Sequence, residues 1–323
     1  MTDNMTILQP LFFVLGLAML AGGAEILVRG GSQLAVRWGV NPLVIGLTVV
    51  AFGTSAPEMA VSVSGALRGS PSIALGNVVG SNVFNTLAIL GTAAIIAPLK
   101  VHAVVIRRET PIMIGVTLAV FVLAGNGWLG RFEGIVLVSA LFGYTVFCLR
   151  SARREAPEIA KEYAASIPPR PAAPLWRPAV FVAGGLALLI AGSQVLVHSA
   201  VAMASAWGVS EKIIALTLVA AGTSLPELAT SLVAAVRKET DIAVGNIIGS
   251  NIFNLLGILG VTAIVAPLAV DAAALRIDFP VMALVSLAVL PVMLSSHSIS
   301  RTEGIVLSLG YVVYAFWLLM LRL

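Results

Sequence analysis

The sequence predicts an all-α polytopic membrane protein whose ten transmembrane helices form two inverted five-helix repeats. The first observation behind this prediction is composition: 59% of the residues are hydrophobic, 11% are charged, and the mean hydropathy is +1.03. Soluble domains are about half apolar and about a quarter charged, so a fold in water would leave too much apolar surface uncovered. The other two observations are an internal repeat and an odd number of apolar spans in each copy.

The internal repeat consists of two motifs that recur at a single offset. Gly-Thr-Ser-Ala-Pro-Glu at 53–58 returns as Gly-Thr-Ser-Leu-Pro-Glu at 222–227, an offset of 169 residues. At the same offset, Gly-Asn-Val-Val-Gly-Ser-Asn-Val-Phe-Asn at 76–85 returns as Gly-Asn-Ile-Ile-Gly-Ser-Asn-Ile-Phe-Asn at 245–254. Self-similarity of this kind indicates two copies of one structural unit.

Each unit contains five apolar stretches of roughly the 20 residues that cross a bilayer core. The first unit occupies 1–149 and the second 178–323, and a charged, proline-rich cytoplasmic linker at 150–177 joins them. The predicted spans are 7–28, 40–67, 72–97, 110–126 and 132–149 in the first unit, and 178–199, 210–235, 241–266, 279–295 and 303–321 in the second.

An odd number of spans per unit means that the second unit starts on the opposite side of the membrane from the first. Cytoplasmic loops are enriched in lysine and arginine. With both termini outside, 14 of the 19 lysines and arginines lie in inside loops, so this orientation is predicted. Inverted repeats typically enclose a midplane site at their interface. The short linker and the lack of a targeting signal favour a prokaryotic plasma membrane.

Carboxylates inside apolar spans indicate where that site lies. Of 15 acidic residues, Glu25, Glu58 and Glu227 are predicted to lie well inside spans. A charge at that depth costs several kcal/mol or more, so it must face protein, water or a cation. Glu58 and Glu227 occupy equivalent positions in the two repeats, and a cation between them would relieve their repulsion.

The neighbouring residues supply further oxygen atoms of the kind that calcium prefers. Thr54 lies one helical turn before Glu58, and Pro57 leaves the carbonyl of Gly53 without a helical donor. Residues with the same spacing are Thr223 with Glu227, Pro226 with Gly222, Ser81 with Asn85, and Ser250 with Asn254. The two motifs together therefore predict a site for a hard cation.

Other polar and small residues of the motifs have simpler interpretations. Four glycines, each pair spaced by four, are typical of helix packing faces; they are Gly76, Gly80, Gly245 and Gly249. Four asparagines are equally compatible with packing, with capping and with function; they are Asn77, Asn82, Asn246 and Asn251. Glu25 has Gln194 as its repeat partner and Arg29 one turn away, so an interfacial ion pair is predicted for it.

The doubled motifs resemble the alpha repeats of the sodium/calcium exchanger family, within the cation/calcium antiporter superfamily, over almost the whole chain. The resemblance implies sodium/calcium antiport by alternating access, without enzymatic activity or a cofactor, and with Ca²⁺ and Na⁺ as transported substrates. It implies that Glu58 and Glu227 bind both ions and that Thr54 and Thr223 bind calcium. It assigns sodium to the hydroxyls of Ser55, Ser81, Ser224 and Ser250 and the carbonyls of Ala51 and Ala220, and it places Asn85 in the middle of the site.

The resemblance also implies that the first and sixth spans slide as a bundle against the rest. Their glycines suit a smooth contact; these are Gly16, Gly22, Gly23, Gly184, Gly185 and Gly192. One departure concerns Asn254, because many members of the family carry aspartate there. The site then holds two formal negative charges, which leaves the sodium stoichiometry, potassium co-transport and the counter-ion open.

Other functions remain as alternatives to sodium/calcium antiport. The nearest is a calcium/proton exchanger, in which Glu58 and Glu227 carry protons; the duplicated serines favour sodium over it. A passive cation channel is less compatible with inverted repeats and broken helices. No metalloprotease motif is present, and the net charge of +4 reports topology, not nucleic-acid binding. The sequence does not predict the oligomeric state.

Overall fold

The computed structural model describes residues 2–166, 174, 176–209 and 220–322. The described chain is almost entirely helical, and its extended residues form four strands of two residues each. The predicted all-α class is therefore confirmed. Where the structure describes them, all the predicted spans fall on helices; part of the predicted span 210–235, residues 210–219, lies outside the described residues.

The helices follow the order of the predicted spans, with a break inside the second span of each unit. In the first unit they are α1 (Thr2–Trp38), α2 (Pro42–Thr54), α3 (Ala56–Leu67), α4 (Pro71–Ile96), α5 (105–124) and α6 (Arg131–Ser166), with strands β1 (Leu99–Lys100) and β2 (Trp128–Leu129). In the second unit they are α7 (Trp176–Ala206), α8 (Ala220–Gly222), α9 (Leu225–Val236), α10 (Thr240–Val265), α11 (Ala274–Ser296) and α12 (Arg301–Arg322), with β3 (Leu268–Ala269) and β4 (Ser298–Ile299).

Six of the described helices are long and apolar enough to cross a membrane, and the bent pair α2 and α3 makes a seventh candidate. The six lie in α1, α4, α6, α7, α10 and α11. Helices of this length and hydropathy establish a multi-pass membrane protein. The number of ten spans stays a prediction.

The end of the first unit differs from the prediction. The fifth span was predicted to end at 149, but α6 continues as a helix to Ser166. Residues 150–166 are rich in alanine, glutamate, lysine and arginine, which have high helix propensity in water as well as in lipid. The apolar part of this helix, Arg131–Ala152, stays close to the predicted span, and the cytoplasmic linker at 150–177 stays a prediction.

The long helices α1 and α7 pack against each other along much of their length. A Cβ atom added to Gly185 would lie 2.6 Å from the backbone nitrogen of Leu27, and one added to Gly16 would lie 2.7 Å from that of Leu196. Gly23 and Gly192 are equally tight, with backbone nitrogens at 2.9 and 3.0 Å. These four glycines therefore bring the backbones of α1 and α7 close together.

The other two glycines of these helices do not bring the backbones together. No described atom lies within 4 Å of a Cβ placed on Gly184, and the nearest to one on Gly22 is a side-chain carbon of Leu188 at 3.7 Å. Because α-helices repeat every 3.6 residues, adjacent glycines cannot both face the axis of one partner helix. A smooth contact of these two helices with the rest of the protein stays a prediction.

Two short antiparallel strand pairs connect the two units. β1 pairs with β4, and β2 pairs with β3. The loop between α4 and α5 thus pairs with the loop between α11 and α12, while the loop between α5 and α6 pairs with the loop between α10 and α11. Each pair joins a loop of one unit to a loop at a different position in the other unit.

Candidate cation-binding site

The site begins at a helix break in each unit. α2 ends at Thr54 and α3 starts at Ala56, with a bend of 44° between them. Ser55 at the break has φ −82° and ψ 8°, and Ser224 has almost the same conformation, φ −90° and ψ 9°. Proline follows two residues later in both units, where a helix start tolerates its missing amide hydrogen.

The two glutamates lie in the first turns of α3 and α9, next to these breaks. Both are buried, Glu58 at 1% exposure and Glu227 at 0%. The positive end of each helix dipole favours a carboxylate at this position. The local sequence, a break followed by proline and glutamate, thereby places a negative charge at a helix start within the bundle.

Each carboxylate is held by the serine of the opposite unit. Ser224 donates its hydroxyl to Oε1 of Glu58 at 2.9 Å, and Ser55 donates to Oε1 of Glu227 at 2.8 Å. Along the chain each serine lies three residues before the glutamate of its own motif. The structure instead crosses the two motifs, so both breaks meet at one site.

Two asparagines that the sequence left undecided lie beside the glutamates. Asn246 accepts a hydrogen bond from Thr54 at 3.2 Å and donates to the backbone carbonyl of Glu227 at 3.3 Å and to Ser231 at 3.0 Å. The equivalent bonds join Asn77 to Thr223 at 3.2 Å, to the Glu58 carbonyl at 3.1 Å and to Ser62 at 2.9 Å. These asparagines therefore lock the two breaks together.

Sequence reasoning missed Ser62 and Ser231 in this arrangement. Both lie one helical turn after a glutamate and at the repeat offset, so the doubled register was the signal that identifies them. A lone serine in an apolar helix usually bonds to backbone, which is why the pattern alone did not select them.

The predicted residues of α4 and α10 form the other wall. Asn85 and Asn254 are buried at 1% and 0% exposure, and each begins a π-helical turn, Asn85–Ile89 and Asn254–Ile258. Single π-helical turns inside α-helices are frequent at functional sites. The hydroxyl oxygens of Ser81 and Ser224 lie 3.0 Å apart, and because the hydrogen of Ser224 is used on Glu58, Ser81 is the donor of this pair. The structure thus brings most of the predicted side chains together.

Five buried oxygen atoms of this site have no hydrogen-bond partner among the described residues. They are Oε2 of Glu58, Oε2 of Glu227, Oδ1 of Asn85, Oδ1 of Asn254 and Oγ of Ser250. Leaving a buried polar atom unsatisfied costs about 1–3 kcal/mol, more when it is charged. Four of the five can only accept, so a bound cation would satisfy them.

The chemistry of these atoms selects the kind of cation. Within the described ranges, no group of three or more histidine, cysteine, aspartate or glutamate side chains comes together as a metal centre. Two carboxylates with amide and hydroxyl oxygens suit hard cations, which prefer oxygen ligands. Because only two of these oxygen ligands are charged, the set suits a cation that must be released from the site as well as bound there.

The predicted backbone ligands are partly occupied by protein donors. The carbonyl of Ala51 accepts from the amide of Ser55 at 3.1 Å, and the hydroxyl of Thr54 lies 3.4 Å from it. The carbonyl of Gly222, predicted to be freed by Pro226, accepts from Ser193 at 2.7 Å. Ala220 lies at the edge of the described residues, at the start of α8.

Two buried carboxylates, Glu109 and its repeat equivalent Asp278, were not among the three predicted at membrane depth. Glu109 is fully buried next to Arg108, whose Nε lies 2.7 Å from Oε1, and Tyr144 donates to Oε2 at 2.8 Å. Both oxygens are satisfied, so this carboxylate stabilises the packing of α5 on α6. The adjacent arginines made the segment resemble a loop.

The two units differ in how α1 and α7 pack against the helices that begin with the two glutamates. α1 packs along α9, and Glu25 bonds there to Arg237, with Nε at 2.7 Å, and to Arg29 at 2.5 Å. The predicted pair of Glu25 with Arg29 is confirmed, but Arg237 was not foreseen. The repeat-equivalent helices α7 and α3 have no comparable packing, and within the described chain Gln194 and Arg68 form no hydrogen bond or ion pair with each other.

Comparison with known proteins agrees with this geometry. The family model described as sodium/calcium exchanger protein matches residues 8–150 and 177–320. The putative antiporter CaxA of Alkalimonas amylolytica is 40% identical over 97% of this chain and 99% of its own length. The sodium/calcium exchanger MaX1 of Methanosarcina acetivorans is 32% identical over 94% of this chain and 96% of its own.

Solved structures give the same result for the fold. The sodium-calcium exchanger NCX_Mj, soaked with zero Na⁺ and Ca²⁺, aligns with a TM-score of 0.84 at 29% identity, over 97% of this chain and 99% of that one. The family match covers both halves of the chain, which contain the doubled motifs. The chain belongs to the sodium/calcium exchanger protein family, whose members are membrane antiporters.

Proposed function

We propose that this protein exchanges sodium for calcium by alternating access at the site around Glu58 and Glu227. The observation that carries the proposal is the group of five buried oxygen atoms that lack a donor among the described residues. Two of them belong to carboxylates, whose combined charge matches one calcium ion. Membership in the exchanger family and the likeness to NCX_Mj support this function.

The proposed roles follow from the contacts. Glu58 and Glu227 each keep one oxygen on a serine of the opposite unit and offer the other to the ion. Asn85, Asn254 and Ser250 add neutral oxygens. Thr54 and Thr223, Ser55, Ser81 and Ser224, and the carbonyls of Ala51 and Ala220 complete the sets proposed for calcium and sodium. The serine hydroxyls that bind the carboxylates are proposed to bind sodium beside them.

The inverted arrangement of ten spans is part of the proposal, and the strand pairs support it. If both units had the same orientation, equivalent loops would lie at the same end of the bundle. The loop between α4 and α5 instead pairs with the loop between α11 and α12, which is equivalent to the one between α5 and α6. The other pair repeats this crossing. Pairing of non-equivalent loops is what an axis in the membrane plane produces.

We place the protein in a prokaryotic plasma membrane with both termini outside. The charge bias of the loops supports this orientation, and a relative named inner membrane protein YrbG, from Escherichia coli, is 37% identical over 98% of this chain.

Reconstitution tests the function. The purified protein in sodium-loaded liposomes is expected to take up radioactive calcium when an outward sodium gradient is imposed, and to stop when the gradient is collapsed. Uptake that ignores sodium but follows an imposed proton gradient would support the calcium/proton exchanger instead. Calcium flux that needs neither gradient would indicate a passive channel.

Asn254→Asp is expected to lower the KM for calcium several-fold and to lower the maximal uptake rate. A third carboxylate in a buried site strengthens the attraction for a divalent ion and slows its release. Asn85→Asp is the matched variant, since Asn85 is the repeat-equivalent residue with the same unsatisfied Oδ1. Concentration-dependent calcium uptake measures both changes. An unchanged KM in both variants would contradict the placement of these amides at the ion.

Alternating access is supported by the different packing of α1 and α7 against the helices that begin with the two glutamates. Glu25→Gln is expected to open the end closed by Arg237, because the variant removes the negative charge that holds two arginines there. In a Cys148→Ser background, which lacks cysteine, labelling of Leu232→Cys beside Arg237 should then become faster.

The repeat-equivalent position on the other side supplies the control. Val63 lies in the groove beside Arg68, as Leu232 lies in the groove beside Arg237. In an alternating mechanism, labelling of Val63→Cys should slow when labelling of Leu232→Cys accelerates. Faster labelling at both positions would mean that Glu25→Gln only loosens the fold.

A further inference from the structure

Behind the ion-facing asparagines lies a second layer of side chains that none of the assigned roles explains. We propose that Asn251 and Asn82 are positioning residues, which turn the oxygens of Asn85 and Asn254 toward the ion, and that Met113 and Met282 fix the direction of this orientation. The inference deepens the proposed function, because it rests on a cation binding at those two oxygens.

Two groups next to the Asn251 side chain can only accept a hydrogen bond from it. The amide nitrogen of Asn251 lies 3.5 Å from the sulfur of Met113 and 2.8 Å from the hydroxyl oxygen of Thr86. A thioether has no hydrogen, and the hydroxyl hydrogen of Thr86 is used on the backbone carbonyl of Asn82 at 2.8 Å. Both neighbours therefore require the nitrogen side of the Asn251 amide.

The orientation of Asn251 then determines that of Asn85. With its nitrogen directed toward Met113, Asn251 presents Oδ1 to Asn85, at 3.1 Å from the Asn85 amide nitrogen. Asn85 must donate there, so its own oxygen points away from the asparagine pair. That oxygen is one of the buried atoms without a partner in the described structure.

Asn82 orients Asn254 in the same way, through different acceptor atoms. The amide nitrogen of Asn82 lies 3.3 Å from the backbone carbonyl of Asn251 and 3.7 Å from the sulfur of Met282. Asn82 consequently presents its oxygen to the amide nitrogen of Asn254 at 3.0 Å. Oδ1 of Asn254 is left toward the site, also without a partner among the described residues.

The orientation matters because the two ends of an amide have opposite charge. Its oxygen binds a cation, whereas its NH₂ group repels one. An isolated asparagine can present either its oxygen or its NH₂ group to the site. In a series of hydrogen-bonded amides that starts at an acceptor-only group, only one orientation of each amide satisfies all the hydrogen bonds. Met113 and Met282 are repeat-equivalent, one in α5 and one in α11, so each unit contributes one methionine sulfur that orients an asparagine of the other unit.

A double-mutant cycle tests the proposal. Asn251→Leu and Asn85→Ala are each expected to raise the KM for calcium about tenfold, the lower end of the effect of removing outer partners of a metal ligand. The double variant should be no worse than Asn85→Ala, since Asn251 acts through Asn85. Asn251→Leu combined with Asn254→Ala should instead show additive losses. Additive losses in the first pair would overturn the proposal.

Gentler substitutions keep the test valid if Asn251→Leu folds poorly. Thr86→Val removes an acceptor at nearly constant shape and should raise the KM, whereas Thr86→Ser should restore it. Met282→Leu should raise the KM slightly, and Met293→Leu, on the same helix and bonded at 3.4 Å to Thr110, should not. Equal effects of Met282→Leu and Met293→Leu, or a failure of Thr86→Ser to restore the KM, would overturn the proposal.

A binding measurement separates this inference from the proposed function. Calcium should raise the Tm of the wild-type protein in detergent, and Asn251→Leu should reduce that shift more than it changes the calcium-free Tm. If the wild type binds calcium but shows no sodium-driven uptake, the proposed sodium exchange is wrong. The double-mutant cycle of Asn251 and Asn85 is then measured as calcium-induced shifts in Tm. A calcium shift that Asn251→Leu leaves unchanged would overturn the positioning role whatever the counter-ion.

Discussion

Glu58→Gln and Glu227→Gln are each expected to reduce sodium-driven calcium uptake by more than about 100-fold, because changes in outer partners of metal ligands alone cost 10–100-fold. Glutamine keeps an oxygen for the serine bond but loses the charge that offsets calcium. Both carboxylates are buried, and each has one oxygen without a described partner. The measurement is initial uptake of radioactive calcium into sodium-loaded liposomes.

Stability distinguishes lost binding from lost folding in these variants. Removing a buried charge that lacks a partner relieves an unfavourable term in the folded state, so the calcium-free Tm should be unchanged or higher. Glu133→Gln is the control, since this glutamate caps the start of α6 through a 2.9 Å bond to the amide of Gly130 and lies far from the site. Uptake that survives in either buried variant would exclude the two-glutamate site.

Gly185→Leu is expected to reduce transport about tenfold or more and to lower the Tm, because overpacking a close contact costs about 1–3 kcal/mol. Its Cβ would lie 2.6 Å from the backbone of Leu27, so α1 and α7 must move apart. The atoms that it meets belong to backbone, which cannot rotate away as a side chain does. Uptake in liposomes and thermal unfolding in detergent measure the two effects.

The adjacent glycine is a matched control for this change. Gly184→Leu makes the same substitution one residue earlier, where no described atom lies within 4 Å, and its repeat-equivalent is already a leucine, Leu15. Transport and Tm should both stay close to those of the wild type. Equal losses in the two variants would mean that a bulky side chain anywhere on this stretch of α7, not the α1 and α7 contact, causes the effect.

Much of the fold was predictable because lipid imposes a simple rule. Each crossing requires about 20 apolar residues with all backbone groups bonded internally, so composition and length locate helices directly. The doubled motifs located both glutamates and both asparagines of the site. Helix α6 continues beyond its predicted span, because outside the apolar stretch helix propensity decides where a helix ends.

The contacts between units were not predictable from either motif alone. Ser55 precedes Glu58 in the chain but bonds to Glu227, and Thr54 bonds to Asn246 on α10. Spacing along one helix determines which side chains share a face, but it does not specify which face of another helix they meet. The same limit left Asn77, Asn82, Asn246 and Asn251 undecided between packing and function.

The sequence by itself indicated that lipid surrounds most of the fold, that the fold is helical and that it contains two repeated units. It also indicated that Glu58 and Glu227 carry charge into the membrane. The tertiary structure decided which oxygens are used up by protein donors and which stay unsatisfied at the site. In the folded protein the carbonyl of Gly222 accepts a hydrogen bond from Ser193, whereas Oδ1 of Asn85 has no partner among the described residues. The reason is physical: composition and period are properties of one chain segment, whereas the satisfaction of a buried polar atom depends on every helix that packs around it.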